Sequence, residues 1–156
     1  MVRFPAPSRR SAGIALCAGA ALLLAGCGNL GNPFRTDEVR LSAELSGRNE
    51  IPAVASPGSG QAEAWFNRST NTLRWNIAYS GLTGPATAGH FHGPAILGQN
   101  AGVALPFKAP LVSPIRGEAV LTPAQAEDLL QGKWYANIHT AAHPGGEIRG
   151  QMLVRN

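Results

Sequence analysis

The chain has 156 residues, with 13 Lys and Arg against 9 Asp and Glu, 44 % hydrophobic residues and two cysteines. That length suits one domain of ordinary size, large enough for its own core. Three of the arginines stand in the first ten residues, leaving ten basic side chains against nine acidic ones beyond them. The high pI is therefore no footprint for nucleic acid.

Arg3, Arg9 and Arg10 precede an apolar run from Ala12 to Ala25, too short to span a bilayer as a free-standing helix. The run ends in Leu24-Ala25-Gly26-Cys27, which resembles a bacterial lipobox. Residues 1–26 are expected to be a lipoprotein signal peptide, Cys27 the lipidated first mature residue and 27–36 a tether rich in glycine and asparagine. Cys17 falls inside the leader, so the mature domain, residues 37–156, has no thiol for a disulfide or a metal. The expected location is the cell envelope, lipid-anchored. Gly28 stands where an aspartate would favour the inner membrane, so the outer membrane facing the periplasm is preferred.

Glu38 to Leu45 alternates polar and apolar, predicting a half-buried strand with Val39, Leu41, Ala43 and Leu45 inward. Gly47 to Gly60, with two prolines, reads as a loop. Strands over 61–67 and 73–79, joined by Arg68-Ser69-Thr70-Asn71, make a hairpin. His90 and His92 flank Phe91, and period-two geometry puts both imidazoles on one strand face. Ala101–Phe107 is a weaker strand, and 118–121 is short and extended. Thr122-Pro123-Ala124-Gln125 has the form of a capping box with proline at the first helical position, predicting a two-turn helix over 123–131 that stops at Gly132. Trp134, Ala136 and Ile138 alternate with Tyr135, Asn137 and His139. A last strand brings Ile148, Met152 and Val154 to one face. Seven or eight short strands with regular turn signals predict an all-β, Greek-key antiparallel sandwich or barrel with one short helix.

All four histidines fall in two glycine-bounded segments, His90 and His92 in one, His139 and His143 in the other. If the two strands are neighbours, three or four imidazoles converge. An all-nitrogen set without thiolate suits copper, zinc or nickel. A solvent-facing polar pair, with His143 a loop residue, is the plain alternative. Asn137 shares a face with His139 and is a candidate to orient an imidazole. Glu147 and Arg149, two apart, are expected to form a structural ion pair beside the site. No serine has a nucleophile-elbow setting, and no glycine-rich phosphate loop precedes a helix.

Asn49-Glu50-Ile51-Pro52, Tyr79 to Gly84, Ala88 to Pro94, Tyr135 to Thr140 and Pro144 to Gln151 together resemble the CHRD (chordin-type) domain, from about Val39 to Val154. Departures are small, chiefly Gly89 and Phe91. In animals this domain recurs in an extracellular antagonist of bone morphogenetic proteins; bacterial single-domain members are secreted or lipid-anchored. A more distant likeness is to Cu,Zn superoxide dismutase, a Greek-key barrel in which a strand His-x-His and a late histidine meet at copper. It implies His90, His92 and His139 as ligands, while the zinc-binding loop and the disulfide of that family have no counterpart. The expected function is metal binding, copper first and zinc second, through His90, His92, His139 and His143, for storage, delivery or protection. The alternatives are an adhesion or scaffold module and a dismutase-like redox enzyme. The membrane, through the N-terminal lipid, is the one partner expected; a protein partner stays unidentified.

Overall fold

The computed structural model describes Met1 and residues 37–155. The leader, Cys27 and the tether lie outside the described residues. Residues 37–155 belong to one compact unit, and its hydrophobic core is drawn entirely from residues 39–152, so this unit holds what it needs to fold by itself.

Among the described residues there are nine strands: β1 (Glu38–Ser46), β2 (Ser59–Asn67), β3 (Thr72–Ser80), β4 (Ala86–His92), β5 (Val103–Pro106), β6 (Ile115–Val120), β7 (Tyr135–Thr140), β8 (Ile148–Gln151) and β9 (Leu153–Val154). The α-helix α1 (Pro123–Leu130) precedes β7. All pairings are antiparallel, in the order β5-β4-β7-β8-β1-β2-β3-β6, with β9 also on β1. The all-β reading and the short helix are as the alternation predicts. The register of the β2–β3 hairpin runs unbroken from Ser59↔Ser80 to Asn67↔Thr72, closing on Asn71 at φ 53°, a left-handed turn position that asparagine tolerates. Asn67 Oδ1 accepts from the amides of Ser69 and Thr70 and fixes the turn.

The sheet curls. Trp75 of β3 meets Phe91 of β4 edge-to-face at 5.6 Å between ring centroids, although five strand-to-strand steps separate those strands in the sheet. Phe107 packs on both rings, and Phe91 lies 5.9 Å from Trp134. Gly89 faces this interior, and a Cβ there would collide with Phe107. A small residue at 89 thus admits the large rings at 91 and 107. The helix is capped as its sequence predicts, with the Thr122 hydroxyl accepting from Gln125 N (3.2 Å) and Gln125 Oε1 from Thr122 N (2.9 Å). It buries Ala126 and Leu129 against the core.

Two expectations need correction. The final strand is split at Met152, whose amide bonds to Trp134 O, and Val154 is 41 % exposed instead of sharing the buried face of Ile148 and Met152. The other concerns β7, which is buried on both faces: Tyr135, Asn137 and His139 are covered as well as Ala136 and Ile138. Alternation within the strand identifies the core side. It cannot announce that residues 93–102 cover Tyr135 while Glu50, Pro144 and Gly146 cover Asn137 and His139.

Candidate metal centre

The cross-strand register assembles the site. His90 stands opposite Asn137, His92 opposite Tyr135 and Ala88 opposite His139, so the three histidines share the outer face of the β4–β7 pair while Phe91 and Ile138 point into the core. One ring nitrogen from each of His90, His92 and His139 lies within 4.8 Å of the others. His90 Nδ1 and His139 Nε2 are 3.2 Å apart. Two imidazoles sharing one metal through bonds of about 2.0–2.1 Å hold their nitrogens roughly 3–3.4 Å apart, so the two rings already stand at a ligand-pair spacing.

Backbone carbonyls fix which nitrogens are free. His92 Nδ1 is 3.0 Å from Ala101 O, and His139 Nδ1 is 2.9 Å from Pro144 O. A carbonyl only accepts, so each Nδ1 carries the hydrogen; the bare Nε2 of His139 then accepts from His90 Nδ1–H, and that of His92 keeps a free lone pair. His92 Nε2 is buried and has no hydrogen-bond partner. A buried acceptor left unpaired costs free energy that a bound cation removes. Burial pushes the pKa of all three rings below the usual histidine value. Mutual repulsion adds to the effect at His90 and His92, while the Ala101 and Pro144 carbonyls oppose it at His92 and His139. Each shift favours the neutral ring, the form that ligates. Three imidazole nitrogens fit copper or zinc.

His143 stands apart from this group. It is half-buried in the Ala141–Gly146 turn, beside Glu50 and Pro52 around a cavity of about 250 Å³. The expected Glu147–Arg149 ion pair is absent, because each side chain is committed elsewhere. Glu147, immediately before β8, accepts from Ser56 Oγ (2.7 Å), Thr83 N (2.8 Å), Thr83 Oγ1 (2.8 Å) and Thr140 Oγ1 (2.6 Å). Burial works against its ionisation, yet these bonds prevail and hold its pKa down at about 2. Arg149, 2 % exposed, donates to Asn100 Oδ1 and Gln99 O, both at 2.7 Å, and lies 3.7 Å over the Tyr135 ring. His92 stacks on that same ring, 4.8 Å between centroids and 4° from parallel. Arg149 thus pins the covering loop, whose Ala101 carbonyl orients His92.

Asn137 turns its Nδ2 to Glu50 Oε1 at 2.7 Å, not to a histidine. Glu50 is 7 % exposed, and burial raises its pKa to about 7 against the pull of Arg149 and the Asn137 bond. Gly146, at φ 128°, passes over this pair, and a Cβ there would overlap Asn137 and Glu50. Sequence reasoning did not single out Glu50, nor the orienting role of the Ala101 and Pro144 carbonyls. A carbonyl has no sequence signature; for Glu50, a carboxylate ahead of Ile-Pro in a loop was the only trace.

A CHRD domain family model matches residues 41–152, well over half of the chain, and the chain belongs to the CHRD domain family. No curated protein and no solved structure matches it. The stretches that carry the resemblance are tied together around the histidines: Asn49 bonds Arg149 O, Glu50 meets Asn137, and Thr83 meets Glu147.

Proposed function

We propose that this CHRD domain binds one transition metal ion, copper first and zinc second, through His90, His92 and His139, and that it does so as a lipid-anchored protein of the cell envelope. The observation that carries the reading is the buried, unpartnered Nε2 of His92 set beside two further imidazole nitrogens within 4.8 Å. The role is to hold a metal for storage, delivery or protection. Arg149, the cation that a dismutase-like reaction would use to draw in a small anion, is buried and spends its donors on the covering loop. That favours holding over turnover.

The test is a titration of residues 33–156 with Cu(II) and Zn(II), following binding and melting together. A ligand that binds only the folded state at a hundredfold excess over its Kd stabilises by about 2.7 kcal/mol. The expected result is one equivalent bound with a raised Tm, lost in His92→Ala and unchanged in His143→Ala. Binding that survives His92→Ala refutes the site, and the adhesion or scaffold reading then takes its place.

A further inference from the structure

The histidine cluster brings no negative charge to an ion. Among the described residues, no carboxylate joins His90, His92 and His139 in the group whose ligand atoms lie within 4.8 Å of one another. Glu147 is ionised but bound through Thr140, one position on from His139 and so on the opposite side of β7. A positive charge stands beside the cluster instead. β7 lies between β4 and β8, so Tyr135 is flanked by His92 of the one and Arg149 of the other. His92 stacks on the phenol ring at 4.8 Å, and the Arg149 guanidinium lies 3.7 Å from its centroid.

That guanidinium is buried, donates to the neutral oxygens of Asn100 and Gln99, and forms no ion pair among the described residues. The carboxyl that feels its field is Glu50, which burial leaves protonated up to about pH 7. A guanidinium stays charged throughout this range, so below pH 7 the charge of Arg149 is not offset. Burial is the main cause of the lowered His92 pKa, and repulsion from Arg149 acts in the same direction, so its field reaches this ring. An ion on Nε2 brings positive charge to the same place. The repulsion is proportional to the ion's charge, and a dication meets twice what a monocation meets. Imidazole suits both copper and zinc, which leaves the choice to electrostatics.

We propose that the histidine site selects a monovalent ion, reduced copper, over Cu(II) and Zn(II), and that Arg149 is the residue that sets this preference. Dications bind, but more weakly. The proposal rests on the metal reading above and adds the charge of the ion that the same three histidines hold.

The experiment measures the Kd of residues 33–156 for Cu(I), kept reduced without air, and separately for Cu(II) and Zn(II). Each is read by competition with a chelator of known affinity at pH 6, where Glu50 holds its proton. The wild type is expected to bind Cu(I) roughly tenfold or more tighter than Cu(II). Arg149→Gln should raise the affinity for Zn(II) relative to Cu(I) roughly tenfold, because a dication is relieved of twice the repulsion. Loosening of the covering loop in that variant weakens both ions alike and cancels from the ratio. Arg149→Lys gives up the forked hold on the loop but keeps the charge, and its ratio should stay near that of the wild type. A ratio unmoved by Arg149→Gln, or moved as far by Arg149→Lys, overturns the proposal and leaves the histidine site standing. Cu(II) bound as tightly as Cu(I) by the wild type does the same. No saturable binding of any of the three ions overturns both this proposal and the metal reading. Should the Arg149 variants fail to fold, the wild-type comparison of Cu(I) with Cu(II) decides the matter alone.

Discussion

At the scale of single residues, two carboxylates and three imidazoles give the domain a pH dependence whose sign can be worked out. Glu147, with a folded pKa of about 2 against an ordinary value of 4.5, stabilises the fold above pH 4.5 and loses that contribution as the pH falls through 2. Glu147→Gln should lower stability at pH 7 by about 1–3 kcal/mol, since a carboxamide leaves a hydroxyl or amide donor unmatched. Its acid melting curve should also be flatter than that of the wild type below pH 4.5. Glu50 works the other way: its pKa of about 7 means the folded state holds a proton that the unfolded state gives up from pH 4.5 upward. Stability contributed by that proton falls between pH 4.5 and 7, so Glu50→Gln, which keeps the acceptor for Asn137, should raise Tm at pH 8 and change little at pH 4. The three histidines, lowered in the fold, penalise the metal-free protein as the pH drops below about 6.5, because the unfolded rings take up protons first. Metal affinity should fall across the same range as ligand nitrogens are protonated; a Zn(II) titration repeated at pH 5, 6 and 7.5 checks this.

At the scale of elements, what the sequence disclosed follows from local chemistry, and what it hid follows from distance along the chain. The β2–β3 hairpin, the His-x-His face of β4 and the capping box of α1 each depend on residues within a few positions of one another. All three have the form that the spacing predicts. Replacing Thr122 by Ala should cost about 1 kcal/mol in urea melts, the usual loss for an N-cap hydroxyl. By contrast, Glu147 is bound by Ser56 and Thr83, 91 and 64 positions away, and no pattern around Glu147 could name them. The same holds for the 93–102 loop, whose return over β7 rests on Arg149 and Gln151 reaching Asn100, Gln99 and Ala95. Two charged residues two apart suggested an ion pair; the competition they lost was with better donors and acceptors brought in by the fold. Gly146 is a position where a single methyl matters at this scale. Gly146→Ala strains a positive φ and drives a methyl into Asn137 and Glu50, so its Tm should fall well below that of Gly145→Ala, where a Cβ meets nothing within 4 Å.

At the scale of the molecule, one core of aromatic and branched residues holds the curled sheet, and the histidines lie wholly outside it. Phe91, between the two histidines of β4, is fully buried against Trp75, Phe107 and Trp134. Phe91→Ala should therefore destabilise by about 3–5 kcal/mol in equilibrium denaturation. Replacing His90, His92 and His139 together by Gln should leave the metal-free fold intact, with sheet-rich circular dichroism and a Tm close to that of the wild type, while abolishing metal-induced stabilisation. The alternation at the end of β4 makes this separation structural: Gly89 and Phe91 belong to the core, His90 and His92 to the outer face. Fold and ligand set can accordingly drift apart over generations. A descendant can trade its imidazoles for other side chains without losing its shape, and another can acquire them on an unchanged frame. Shared ancestry across such domains then says little about who carries an ion; positions 90, 92 and 139 have to be read one by one.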